Sequence, residues 1–146
     1  MKRIAYLSSF LVILSLLYAC SENPRFDELD GFWQVQSVKD LGTGAVKEAN
    51  NTLFISFEQQ LICLSHEYEG RPHGTPMKRY IATFEKEGNT LTTAPFRIYL
   101  EEDKLAPAEV LAMFGMQPGE QTFAMQFSDD RLTLTSATAV IELIHY

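Results

Sequence analysis

From Asp30 onwards, apolar and polar residues alternate with a period of two in one stretch after another. Asp30–Lys39 sets Trp33, Val35 and Ser37 on one face, and Asn51–Glu58 does the same with Leu53, Ile55 and Phe57. Gln60–Glu69 puts Ile62, Leu64, His66 and Tyr68 opposite Leu61, Cys63, Ser65 and Glu67. Met77–Glu85 aligns Tyr80, Ala82 and Phe84, and Gln121–Phe127 aligns Phe123, Met125 and Phe127. Arg131–Thr135 carries Leu132 and Leu134, and Ala139–Tyr146 sets Ile141 and Leu143 against Val140 and Ile144. Such alternation predicts half-buried strands. The punctuation agrees. Leu41–Gly44 and the Gly- and Pro-containing stretch Glu69–Pro76 predict loops, and Glu87-Gly88-Asn89 predicts a tight turn into Thr90–Thr93. Pro95 interrupts before a short edge piece at Phe96–Leu100. Within Glu101–Met116 the period changes, and Pro107 and Gly115 bracket one short helix.

About eight short strands joined mainly by tight turns predict an all-β, antiparallel, up-and-down meander. Eight strands that close on themselves remove exposed edges and leave room inside for side chains or one small ligand. A β-sandwich is the alternative, and the hairpin-after-hairpin order favours the barrel. In a closed barrel the inward candidates are Val35, Leu53, Ile55, Phe57, Phe123, Met125, Phe127, Leu132, Leu134 and Leu143. They would line an apolar pocket or simply fill the interior.

The first twenty residues have another pattern. Lys2 and Arg3 precede an uncharged stretch from Ile4 to Ala19 whose centre, Phe10–Leu17, is almost wholly apolar. A basic start and a short apolar core predict a secretory signal, too short for a comfortable membrane span. The segment ends Leu17-Tyr18-Ala19-Cys20 and resembles the lipobox of bacterial lipoproteins. That resemblance implies cleavage after Ala19 and lipidation of Cys20, with the acyl chains giving lasting attachment. The organisation implied is a signal peptide over 1–19, a lipidated polar tether over 20–29 and a folded domain over 30–146. Ser21 stands where an Asp would be the usual inner-membrane retention signal, so the resemblance favours an outer-membrane lipoprotein, facing the periplasm or the outside.

Charge and cysteine content narrow the partners. Without Lys2 and Arg3, ten basic residues stand against 19 acidic ones, a formal charge of −9. Such a domain is a poor fit for nucleic acid. With Cys20 lipidated, Cys63 stands alone, without an intramolecular disulfide partner, and is expected as a buried small hydrophobe.

Gly31-Phe32-Trp33 at the first strand resembles the Gly-X-Trp signature of lipocalins and their relatives. The wider pattern resembles bacterial lipoproteins with a lipocalin-like domain, through Asp30–Gln34, Asn51-Thr52-Leu53-Phe54, Leu132-Thr133-Leu134 and the terminal His145-Tyr146. The resemblance covers nearly all of the chain after the signal. It implies an eight-stranded lipocalin-like barrel in which Gly31 and Trp33 are structural and Trp33 plugs the closed end. The family's last strand usually offers Arg or Lys above that Trp. Here no Arg or Lys comes after Arg131, so a cationic lid falls to His145 or Arg131, or is absent.

Catalytic chemistry finds little support. Cys63, His66 and His73 are close in sequence, but 63 and 66 have opposite parity on a strand and the spacing matches no zinc motif. The same parity separates Cys63 from His66 as a catalytic dyad. The pairs Glu67/Glu69 and Glu101/Asp103 read as solvated acidic faces, and no Gly-rich phosphate loop is present. Neither catalytic residues, a metal nor a cofactor is expected. The expectation is a non-enzymatic, membrane-anchored binding protein for a small apolar or amphipathic molecule. The alternative is an interaction or inhibitor module that meets an envelope protein through its loops.

Overall fold

The computed structural model describes residues 28–67 and 77–146. The leader 1–19, Cys20 with most of the tether, and the Glu69–Pro76 loop with His73 lie outside the described residues. The elements are β1 (Gly31–Asp40), β2 (Val46–Glu48), β3 (Leu53–Glu58), β4 (Leu61–His66), β5 (Arg79–Glu87) and β6 (Thr90–Thr93). They continue with β7 (Arg97–Ile98), β8 (Glu101–Leu105), α1 (Ala108–Met113), β9 (Gln121–Ser128), β10 (Arg131–Thr135) and β11 (Ala139–His145).

Eight strands close a ring in chain order: β1, β3, β4, β5, β6, β9, β10, β11 and back to β1. Every pairing in it is antiparallel. The fold is therefore the up-and-down barrel and not the sandwich. β2 lies beside β1, and β7 continues the edge of β5 that β6 vacates at Pro95 before pairing with β8. These extra strands carry no alternation. All three residues of β2 are exposed, and β8 is mainly charged.

The alternation reads correctly except at one point. Val35 pairs with Leu143, but Ser37 pairs with Glu142, so Gln36 is an extra residue in β1. A bulge of this kind reverses the parity of the strand beyond it. Val38 therefore turns inward opposite Ile141, while Ser37 turns outward and its hydroxyl meets the Glu142 carboxylate at 3.2 Å.

The two ends of the barrel are built differently. At one end β3–β4, β5–β6 and β9–β10 are joined by two-residue turns. Each turn includes a residue in the left-handed region: Gln59 (φ 56°), Gly88 (φ 58°) and Asp129 (φ 54°). At the other end lie the long connections, including the one that carries β2 and the excursion of β7, β8 and α1 between β6 and β9. Between the ends, a single apolar cluster fills the barrel. Each buried side chain of the Val, Leu, Ile or Phe type contributes about 1.5–3 kcal/mol.

Candidate functional site

The site of interest is the barrel interior and the end where the long connections meet. All ten inward candidates from the sequence face inward. Val35, Leu53, Ile55, Phe57, Phe123, Met125, Leu132, Leu134 and Leu143 are buried, and Phe127 is partly buried against them. The register brings them together as neighbours on facing strands, for example Leu132 with Leu143 and Phe127, and Leu134 with Met125. Val38, Ile62, Leu64, Leu91 and Ile141 join the same lining, as do Tyr80, Ala82 and Phe84 of β5. The bulge hid Val38, while Ile62, Leu64 and Ile141 already stood in alternating stretches.

At the open end α1 turns its apolar side inward. Leu111, Phe114 and Met116 are buried, while Met113 is 39% exposed. The helix stops where its backbone demands a glycine. The Gly115 N–H donates to the Ala112 carbonyl at 3.2 Å and the Met116 N–H to the Leu111 carbonyl at 2.9 Å, a Schellman closure. Gly115 takes φ +70°, and a Cβ there would lie 2.6 Å from Val38 Cγ1 and 3.2 Å from the Ala139 Cβ. The glycine thus lets the end of α1 press against the rims of β1 and β11.

Two grooves flank this lid. One, of about 120 Å³, runs between Asp40, Ala45 and Lys47 on one side and Ala112, Gly115 and Met116 on the other. The second, of about 300 Å³, lies between the Glu48–Leu53 stretch and Glu109, Ala112 and Met113. The rim is ordered by Asp40, whose carboxylate accepts from the Thr43 N–H at 2.7 Å and from its hydroxyl at 3.0 Å. These bonds hold its pKa below the usual carboxylate range. Beneath the lid, burial pushes the Tyr80 phenol above its ordinary range, and the Glu109 carboxylate on α1 adds to the shift.

The opposite end is closed by Trp33. Its indole N–H donates to the Leu29 carbonyl at 2.9 Å, and its ring meets Phe127 edge-on at 6.3 Å. His145 packs against Trp33 with ring centroids 5.0 Å apart and an 86° interplanar angle. It is therefore His145 that takes the place beside the indole, while Arg131 lies exposed on the outward parity of β10. Gly31 is required by this contact. It has φ +134°, and a Cβ would come within 2.8 Å of His145 Nε2.

Among the described residues the sequence's other chemical candidates are not assembled. Cys63 faces out and His66 shares the inward parity of Leu64, as the strand parity predicts. Among the described residues no cluster of His, Cys, Asp and Glu could hold a metal. Glu101 and Asp103 are exposed, and Glu101 is paired with Lys104, whose ammonium holds the carboxyl below its usual range. Cys63 is half-buried on the outer wall, and not the fully buried hydrophobe expected, because its strand parity sends it away from the core. Burial still raises its pKa above the ordinary thiol value. Since the thiolate is the reactive form, alkylation of Cys63 by iodoacetamide is expected to reach half its maximal rate at a higher pH than a free-cysteine peptide. Equal midpoints, measured by mass spectrometry across a pH series, would contradict this.

Comparison with known proteins agrees with this architecture. The profile of a lipocalin-like domain family matches residues 13–146. No curated protein matches the chain. An uncharacterised protein from Bacteroides eggerthii superposes with a TM-score of 0.61 at 14% identity, covering 81% of this chain and 99% of its own. A lipocalin-like protein from Bacteroides uniformis superposes with a TM-score of 0.58 at 15% identity, covering 82% of this chain and 99% of its own. At such identities the two structures establish likeness of fold alone. With the family profile matched over most of its length, the chain belongs to the lipocalin-like domain family.

Proposed function

We propose that this protein is a lipid-anchored binding protein of the cell envelope, which takes a small apolar or amphipathic molecule into the barrel at the end covered by α1. The lipocalin-like fold suggests ligand binding in general terms. The observation that carries the finer reading is the lid. Leu111, Phe114 and Met116 fill the end of the barrel where an apolar guest would sit, and a six-residue helix flanked by grooves holds them there. So short a helix has little stability of its own and depends on this docking. A guest of similar apolarity would replace the contacts that α1 gives up.

The test is native mass spectrometry of the protein purified from its own host, together with fatty-acid titration followed by the emission of Trp33, the single tryptophan. A stoichiometric adduct or a saturable change in emission is expected. Repeated recovery of empty protein with unchanged emission would refute the reading. The anchor is tested separately, with labelled palmitate expected in the wild type and lost in Cys20→Ser. A wild type without label would remove the anchor and leave the pocket untouched.

One observation favours a second reading, the interaction or inhibitor module. The β7–β8 hairpin holds three apolar side chains in water: Tyr99 is 46% exposed, Leu100 81% and Leu105 59%. Leu100 also takes φ +68°, uncommon for such a residue.

A further inference from the structure

Two buried polar atoms in the barrel wall stand out against the apolar cluster. Thr93 is 0% exposed, and its Oγ1 has no hydrogen-bond partner among the described residues. The residue paired with it across β6 and β9 is Gln121, whose Nε2 is likewise buried and without a partner among the described residues. Both share the inward parity of their strands. Thr93 lies opposite Phe84 and two positions from Leu91, while Gln121 lies two positions from Phe123.

The orientation of the Gln121 amide is fixed. Its Oε1 accepts the Gln117 backbone N–H at 2.8 Å, which leaves the nitrogen as the free end. A buried hydroxyl and a buried amide N–H₂ that meet no acceptor cost stability, and native proteins rarely keep such groups without a reason. Valine would fill the place of Thr93 with almost the same shape and without that cost.

We infer that Thr93 and Gln121 form a polar foothold for the carbonyl oxygen of an otherwise apolar guest. The inference rests on the proposed binding reading and specifies the chemistry of the molecule bound. Both groups can donate a hydrogen bond, and a carbonyl oxygen has two lone pairs to receive them. Both are neutral, so they suit an ester or amide oxygen better than a carboxylate, whose buried charge would need a cation. The foothold is also tied to the lid, because the amide that donates to the guest holds the backbone of Gln117, next to Met116 at the end of α1.

The experiment compares methyl laurate, lauric acid and dodecane on purified wild-type protein, Thr93→Val and Gln121→Glu. Gln121→Glu is assayed at a pH at which the new carboxyl is ionised, so that it keeps the acceptor for Gln117 and lacks the donor. Wild type is expected to prefer the ester over both the acid and the hydrocarbon. Thr93→Val is expected to unfold at a higher temperature than wild type when empty, yet to bind the ester about tenfold more weakly, with dodecane unchanged. Gln121→Glu is expected to weaken the ester in the same way.

Ester affinity unchanged in Thr93→Val, or a loss of thermal stability in that variant, would overturn the foothold. So would a crystal structure of the ester complex in which a fixed water bridges Thr93 and Gln121 and the carbonyl lies elsewhere. A preference for the acid would overturn the neutral-carbonyl assignment. Failure of the wild type to bind any of the three would instead overturn the binding reading beneath it.

Discussion

Trp33→Ala is expected to destabilise the protein by about 3–5 kcal/mol, the range for removing a large buried aromatic. Three losses combine. The indole is 2% exposed, so its place becomes a cavity bounded by Phe127 and His145. The Leu29 carbonyl loses its donor and is left without compensation. His145 loses the ring against which it packs at the end of β11. Urea unfolding followed by far-UV circular dichroism measures this directly. Trp33→Phe separates the contributions, since it keeps an aromatic ring and removes only the N–H and part of the volume. A smaller loss is expected, and a cost below about 1 kcal/mol for the alanine variant would contradict a closed end built on this side chain.

Phe114→Ala is also expected to cost about 3–5 kcal/mol, and to change binding as well as stability. Phe114 is fully buried and belongs to the barrel's own cluster, although it is carried on the connection directly after α1. Its removal weakens the docking of the lid and vacates volume at the open end. Apolar probes should therefore associate faster than with wild type, by stopped-flow fluorescence, while the urea midpoint falls. Phe114→Leu should lie between the two. A variant that loses stability but admits probes at the wild-type rate would mean that α1 is a structural plug and not a lid.

The two predictions differ in how far the sequence could have led to them. Trp33 was legible because Gly31-Phe32-Trp33 opens an alternating stretch, and the inward set came from the same period of two. Two kinds of feature were not legible. Exposed strands such as β2 and the mainly charged β8 carry no apolar–polar alternation, the signal by which the strands of the ring are read. The bulge at Gln36 was no more legible. It is a property of two strands in register: the polar pair Gln36-Ser37 between Val35 and Val38 breaks the period of two, but does not by itself show that the strand goes on with reversed parity. The helix itself was bracketed by Pro107 and Gly115, but its destination was not. That Gly115 must pass within contact of Val38 and Ala139 depends on residues far apart in the chain. The partnerless atoms of Thr93 and Gln121 were hidden for the same reason, because a threonine in a strand is ordinary until its surroundings are known.

The short turns at the closed end bear on how the barrel assembles. Three of its hairpins join strands separated by only two residues, so each can zip locally and early. The seam between β1 and β11 is of another kind. Trp33 must find His145, and Asp40 must find Ala139, across nearly the whole described chain. Contacts of such long separation are slow to form, because the chain must be brought together before they reward it. The nucleation of single hairpins will therefore be fast, and the stitching of the first strand to the last will set the folding rate. Until that seam is made, β1 and β11 both present an open edge, and this interval is when the nascent protein is most exposed to pairing with a copy of itself.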